Sequence, residues 1–203
     1  MRNAIAAVLL VASPAFAQDA ALQEGTITCS SPVSPNDSAK SLMLRYGEEA
    51  VIQDGLYTGV EDITYKGLVL FPHAPDWRIE VSFTDETMSR AAGLTLHNTA
   101  KTSHWNVAGA TIGSSLAEVQ KVNGKPFLVN GFDSDFGGFV TNWKGGALGR
   151  PLPGGCRVTL RFGKDGPALN GMAGDDVRIS SDNAQLIKWG PVVTQIEVNF
   201  PEK

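Results

Sequence analysis

Three histidines, His73, His97 and His104, and the aspartates Asp133 and Asp135 of "FDSDFGGF" are the residues of this sequence best suited to chemistry. Two imidazoles meeting near Asp76 could hold zinc, but none of the three sits at a metal-motif spacing. Surface or edge histidines with local hydrogen bonds are therefore expected, and no metal site. An Asp-x-Asp pair is too small a donor set for calcium, which takes about six to eight oxygens. A turn whose aspartates accept backbone hydrogen bonds is the expectation there. A pocket gathering His97, His104, Asp133 and Asp135 would suit a hydrolase or a small-ligand binder. The serine-hydrolase elbow G-x-S-x-G, H-E-x-x-H, C-x-x-C and the P-loop do not occur, so no catalytic residue and no cofactor is assigned.

Aromatic residues offer a different chemistry. Most of Trp77, Trp105, Phe132, Phe136, Phe139, Trp143 and Trp189 should be core, since strand alternation sends half of each strand inward. In "FDSDFGGFVTNW", however, Phe132, Phe136, Phe139 and Trp143 surround a glycine-opened turn beside Asp133 and Asp135. Exposed aromatics near acidic groups make a protein-binding patch, and these six residues are the candidate binding site.

Cys29 and Cys156 are the only two cysteines, and the start of the chain bears on their state. "MRNAIAAVLLVASPAFA" has a basic Arg2, an apolar run and Ala15 and Ala17 about Phe16, the pattern of a secretory signal peptide cut before Gln18. In an oxidising compartment an even pair of cysteines is expected to form a disulfide. No cysteine stands at the cleavage point itself, Cys29 lying well downstream, so no lipid anchor is expected, and no later stretch reaches the roughly 18 apolar residues of a membrane span. The net charge of -4, without a basic run, argues against nucleic acid as a partner. The location expected is the periplasm, and residues 18–203 should form a single domain.

Several elements must position these groups. Ser38 can cap a helix carrying Ala39, Leu42 or Met43, Tyr46 and Ala50, with Gly47 as its stop. "WRIEVSF" alternates, with Trp77, Ile79, Val81 and Phe83 on one face and Arg78, Glu80 and Ser82 on the other. "DETMSRAAG" is expected to form a helical turn closed by Gly93, leading into a short strand "LTLH". Ser115 and Glu118 form a capping box, Leu116, Val119 and Val122 a buried stripe, and Gly124 and Pro126 an exit. "FLVNGF", "GGFVTNW" and "CRVTLRF" read as strands. "SDNAQLIKWG" is a short helix capped by Ser181 or Asp182, and the closing "VVTQIEVNF" puts Val192, Thr194, Ile196, Val198 and Phe200 on one face.

Two segments, about 38–97 and 112–203, thus share the order helix, glycine, strand, turn, strand, the order a duplicated unit would give. The second begins "IGSSLAEVQKVNGKPF". This resembles the G-x-[ST]-x-x-E-V-x-x-x-x-G-x-P signature of small envelope modules in the BamE/OmlA and beta-lactamase-inhibitor-protein-like (BLIP-like) group, carried by Gly113, Ser115, Glu118, Val119, Gly124 and Pro126. The wider sequence is also similar to exported bacterial proteins of unassigned function. The resemblance implies an α+β fold of tandem αββ-like units, an antiparallel sheet with helices packed on one face, and a sheet that holds another envelope protein. The signature residues build a helix and carry no catalytic role.

Overall fold

The alternating segment at 77–83 supplies, over Ile79–Phe83, an inner strand of the main sheet. The computed structural model describes residues 25–58 and 63–202; the signal-peptide expectation at 1–17 lies outside them. The main sheet is antiparallel and has six strands. They are β2 (Ala50–Tyr57), β3 (Thr64–Leu70), β4 (Ile79–Phe83), β5 (Ala91–His97), β9 (Arg157–Gly163) and β11 (Val192–Asn199), in the order β2-β3-β4-β5-β11-β9. A second antiparallel sheet joins β7 (Leu128–Asn130) to β8 (Val140–Asn142) and β10 (Arg178–Ser180), in the order β10-β7-β8. β1 (Thr26–Ile27) and β6 (Asn106–Val107) form a short parallel pair. With α1 (Ala39–Tyr46), α2 (Leu116–Asn123) and α3 (Ala184–Trp189) this is an α+β fold.

The two segments use their strands differently. Segment 38–97 gives α1 and four consecutive strands that pair as a meander. Segment 112–202 divides its strands, sending β9 and β11 to the main sheet and β7, β8 and β10 to the small one.

Leu68, Val81, Leu94, Val198 and Val158 lie side by side across five strands and are all buried. Leu42 of α1, Leu116 and Val119 of α2 and Leu186 of α3 join the same core. The small sheet reaches it through Phe127, whose ring stacks on Phe162 of β9 at 5.6 Å. The disulfide between Cys29 and Cys156 is formed, with Cα atoms 5.7 Å apart, and ties the segment after β1 to the start of β9.

The expected capping box is present at Ser115, and Ser38 makes a second. Ser115 accepts from the Glu118 N–H, and Glu118 accepts from the Ser115 N–H at 2.7 Å. Ser38 and Ser41 reciprocate in the same way on α1. Beside that cap, buried Asp37 receives Arg45 Nη2 at 2.6 Å and the Ser34 N–H at 2.9 Å. Gly124 closes α2 at φ 74°, a left-handed conformation that glycine adopts without penalty.

Three local expectations give way to other structure. Residues 85–90 form a turn instead of a helix. The Asp85 carboxylate gathers the Thr87 N–H at 2.8 Å and the Ser89 hydroxyl at 3.2 Å, and Thr84 N–H bonds the Arg90 carbonyl, closing a hairpin between β4 and β5. Gly93 lies inside β5, where a Cβ would stand 2.6 Å from the Val198 carbonyl oxygen. The cap of α3 is Asn183, which accepts from Gln185 and Leu186 N–H. Ser181 turns inward instead, accepting from Phe127 N–H and donating to Gln120 at 2.7 Å. In β11 a register shift between Val193 and Gln195 replaces Val192 and Thr194 by Val193 on the core side, with Ile196, Val198 and Phe200 as expected.

Candidate functional site

The face of the main sheet opposite the core is polar, because the same alternation that buries Val81 and Leu94 turns their neighbours away. Glu80, Thr95, Glu197 and Thr159 stand opposite one another across β4, β5, β11 and β9. Next to them His97 pairs with Gln195, and Gln195 with Arg161.

These groups are tied together. Arg78 places Nε 3.1 Å and Nη2 2.9 Å from the same oxygen of Glu80, and His97 Nε2 lies 3.5 Å from the other oxygen. Burial alone would raise the pKa of Glu80, but hydrogen bonds and charge from His97 and Arg78 outweigh it and hold the carboxyl below its ordinary value. Glu197 accepts from Gln195 Nε2 at 2.7 Å. There burial dominates and the carboxyl is pushed up, despite hydrogen bonds from Gln195 and Asn199 and the charges of His97 and Arg161. Tyr65 is pushed up by burial first and then by the negative charges of Glu80 and Glu197. Two carboxylates of one type, one strand apart from a shared neighbour, are thus driven in opposite directions.

Two hollows open on this side. A cavity of about 680 Å³ is lined by Tyr65, Ser82, Thr95 and Glu197, with Lys66, Asp85 and Glu86 at its margin. A groove of about 830 Å³ runs where the polar face meets the loop after β7 and the end of α3. Its walls include Tyr57, His97, Lys101, Phe132, Asp133, Arg161, Lys164 and Trp189. Arg161 gives Nε to the Gly137 carbonyl at 2.8 Å and lies over the Phe139 ring at 4.9 Å, with burial lowering its pKa. Lys164 donates to the Trp189 carbonyl.

The candidate aromatic residues separate. Phe132 is buried, 4% exposed, with its ring 4.6 Å from Trp189. Trp143 is half-buried against Phe127 at 5.3 Å, and Phe139 is half-buried under Arg161. Phe136 is 49% exposed. Asp133 accepts from the Ala168 N–H at 2.9 Å, a bond across the fold instead of within its own turn. Asp135 is exposed, and its carbonyl receives Arg161.

His97 and Asp133 line the same groove, whereas His104 lies elsewhere. It pairs with Asp76 at 2.8 Å and stacks on Trp77 at 4.6 Å, beside fully buried Trp105, whose indole donates to the Trp77 carbonyl. Among the described residues no cluster of three His, Cys, Asp or Glu side chains is placed to hold a metal ion. Glu80, Glu197, Arg161 and Tyr65 were not singled out by sequence reasoning. Alternation puts Arg78 and Glu80 on the polar face, but only the strand order brings β11 and β9 beside β5.

Comparison with known protein families, with curated proteins and with solved structures finds no match to this chain.

Proposed function

We propose that this chain is an exported, non-enzymatic binding protein of the cell envelope, and that the polar sheet face and its groove recognise another envelope protein. The observation that carries this reading is the groove, where Tyr57, His97, Asp133 and Arg161 from four separate segments meet between aromatic walls. Such a mixture of charge, hydrogen-bonding groups and aromatic surface suits recognition. A reacting site needs a nucleophile within reach of a base that is itself oriented. Here His97 faces Glu80, and Glu80 is already clamped by Arg78, so the imidazole braces a carboxylate that has its own ion-pair partner. The disulfide suits an oxidising compartment, and among the described residues no helix is long and apolar enough to cross a membrane. The envelope-module signature at 112–127 points the same way.

A small-ligand site is the second reading, favoured by His97 and Asp133 lining one groove; His104 and Asp135 take no part in its walls. The test is a pull-down from periplasmic extract with the mature chain, comparing wild type with Tyr57→Ala and Phe136→Ala, both at exposed positions. A specific protein retained by the wild type and lost by both variants, at unchanged thermal midpoint, supports the binder. Equal retention by all three, or no retained protein, counts against it.

A further inference from the structure

The main sheet treats its two margins differently. At β9 the chain covers part of its own edge: Phe139 bridges to Arg161, and Phe162 N–H donates to the Gly138 carbonyl at 2.8 Å. At the other margin β2 has a strand neighbour on one side only among the described residues. Phe71 N–H donates to the Glu49 carbonyl, and Val51 and Gln53 face Val69 and Gly67 in register. In an antiparallel ladder that spacing turns the N–H and C=O of Ile52 outward.

Open edges are ordinarily blunted by lysine, proline or an early bulge. Here the run from Ala50 to Gln53 holds neither lysine nor proline, and the register shift comes only after Gln53. Val51 and Ile52 are 44% and 40% exposed, and Met43 and Leu44 of α1 flank Ile52 in a shallow trough with Met88. The ends of the run are acidic: exposed Glu48 and Glu49 precede it, and exposed Asp54 follows it. Of the nearby cations, Arg45 is engaged by Asp37 and Lys66 loosely by Asp54 at 3.8 Å, while Lys40 lines the trough and the acidic groups lie at the ends of the run.

We propose that the outer edge of β2 docks an extended segment of a partner protein, apolar at alternate positions and basic at its ends, which adds a strand to the sheet. Main-chain bonds at Ile52 supply the register, the trough takes an apolar side chain, and Glu48, Glu49 and Asp54 select lysine or arginine. A second copy of this chain is a poorer occupant. Antiparallel pairing centred on Ile52 would set Asp54 of one copy opposite Ala50 of the other, diagonally across from Glu48 on the same face, bringing like charges near each other.

The proposal rests on the reading of this chain as a protein binder but uses a surface apart from the groove. The probe is a fluorescein-labelled peptide alternating valine with lysine, followed by anisotropy, with a control in which glutamate replaces lysine. Ile52→Pro removes the outward donor while leaving the bonds to β3, and Ile52→Lys blunts the edge without touching the backbone. Saturable binding is expected, weakened at least about tenfold by the glutamate control and by either variant, and unchanged by Phe136→Ala. No saturation up to about 1 mM, equal binding by both Ile52 variants, or a wild-type dimer that Ile52→Pro dissociates would each overturn it. Because Tyr57→Ala reports on the groove and Phe136→Ala on the exposed loop beside it, loss of the retained protein in those variants with no peptide binding would refute the edge alone.

Discussion

The two faces of the main sheet are built from the same strands, one residue out of step, and hold together by different means. On the core face Leu68, Val81, Leu94, Val198 and Val158 form a continuous apolar row. On the other face Glu80, Thr95, Glu197 and Thr159 form a polar row whose charged members depend on named partners. The apolar row tolerates exchange of one hydrophobe for another of like volume. The polar row does not, because a buried carboxylate that loses its partner keeps its desolvation cost. Stability on the second face therefore depends on particular partners and on the first on packed volume.

The sharpest contrast is between adjacent residues of β5. Leu94 is 2% exposed within the apolar row, and Leu94→Ala should cost about 2–5 kcal/mol in guanidinium unfolding, from lost transfer energy and the cavity left behind. Thr95→Ala, one position on and facing the polar side, should cost under about 1 kcal/mol. Comparable losses for the two would erase the distinction between the faces.

A smaller effect separates the charged groups. Glu80→Gln keeps the shape of the side chain but loses the charge that Arg78 and His97 hold. It should cost about 2 kcal/mol at neutral pH. The folded pKa of Glu80 lies below its ordinary value. Its contribution is therefore full above about pH 4.3, the unfolded value, and is lost as pH falls through the lower folded value. Unfolding curves between neutral pH and pH 3 should bring variant and wild type together at the acid end. A gap that stays constant with pH would mean that the charge is not the cause.

How much of this could be read from the sequence follows the range of the interactions. The box of Ser115 and Glu118, the exit at Gly124 and the alternation of 77–83 depend on residues within a few positions, and all three were legible. The turn at 85–90 was not, because Asp85, Thr87 and Ser89 can satisfy a helix start and a hairpin equally well. Nor was the β11 bulge, which exists because Thr194 is set aside between the register positions of Val193 and Gln195. The groove depends on β11 lying between β5 and β9, so that His97 meets Gln195 and Arg161 across more than sixty residues of chain. The loop around Asp133 and Asp135 was recognisable as a turn, but its bond to Ala168 and the burial of Phe132 follow from long-range packing.

The smallest effect tests the polar row most stringently, because it requires an identical substitution to act with the opposite sign. Glu197 and Glu80 both face Thr95, on opposite sides of β5. Burial raises the Glu197 carboxyl, and its hydrogen bonds and nearby cations only partly compensate. A carboxyl raised on folding adds stability below its unfolded value of about pH 4.3 and loses that stability as pH rises through the folded value. At neutral pH the Glu197 carboxyl is therefore a burden, and Glu197→Gln should stabilise the fold by about 0.5–1 kcal/mol. The gain should shrink as pH falls toward 4, where the wild-type side chain also becomes neutral. Glu80→Gln and Glu197→Gln should thus diverge on opposite sides of the wild type at pH 7 and converge toward it in acid. If both variants were destabilised to the same degree at neutral pH, Glu197 would be held by its partners as firmly as Glu80 is, and the polar row would be a uniform ion network with no protonatable position.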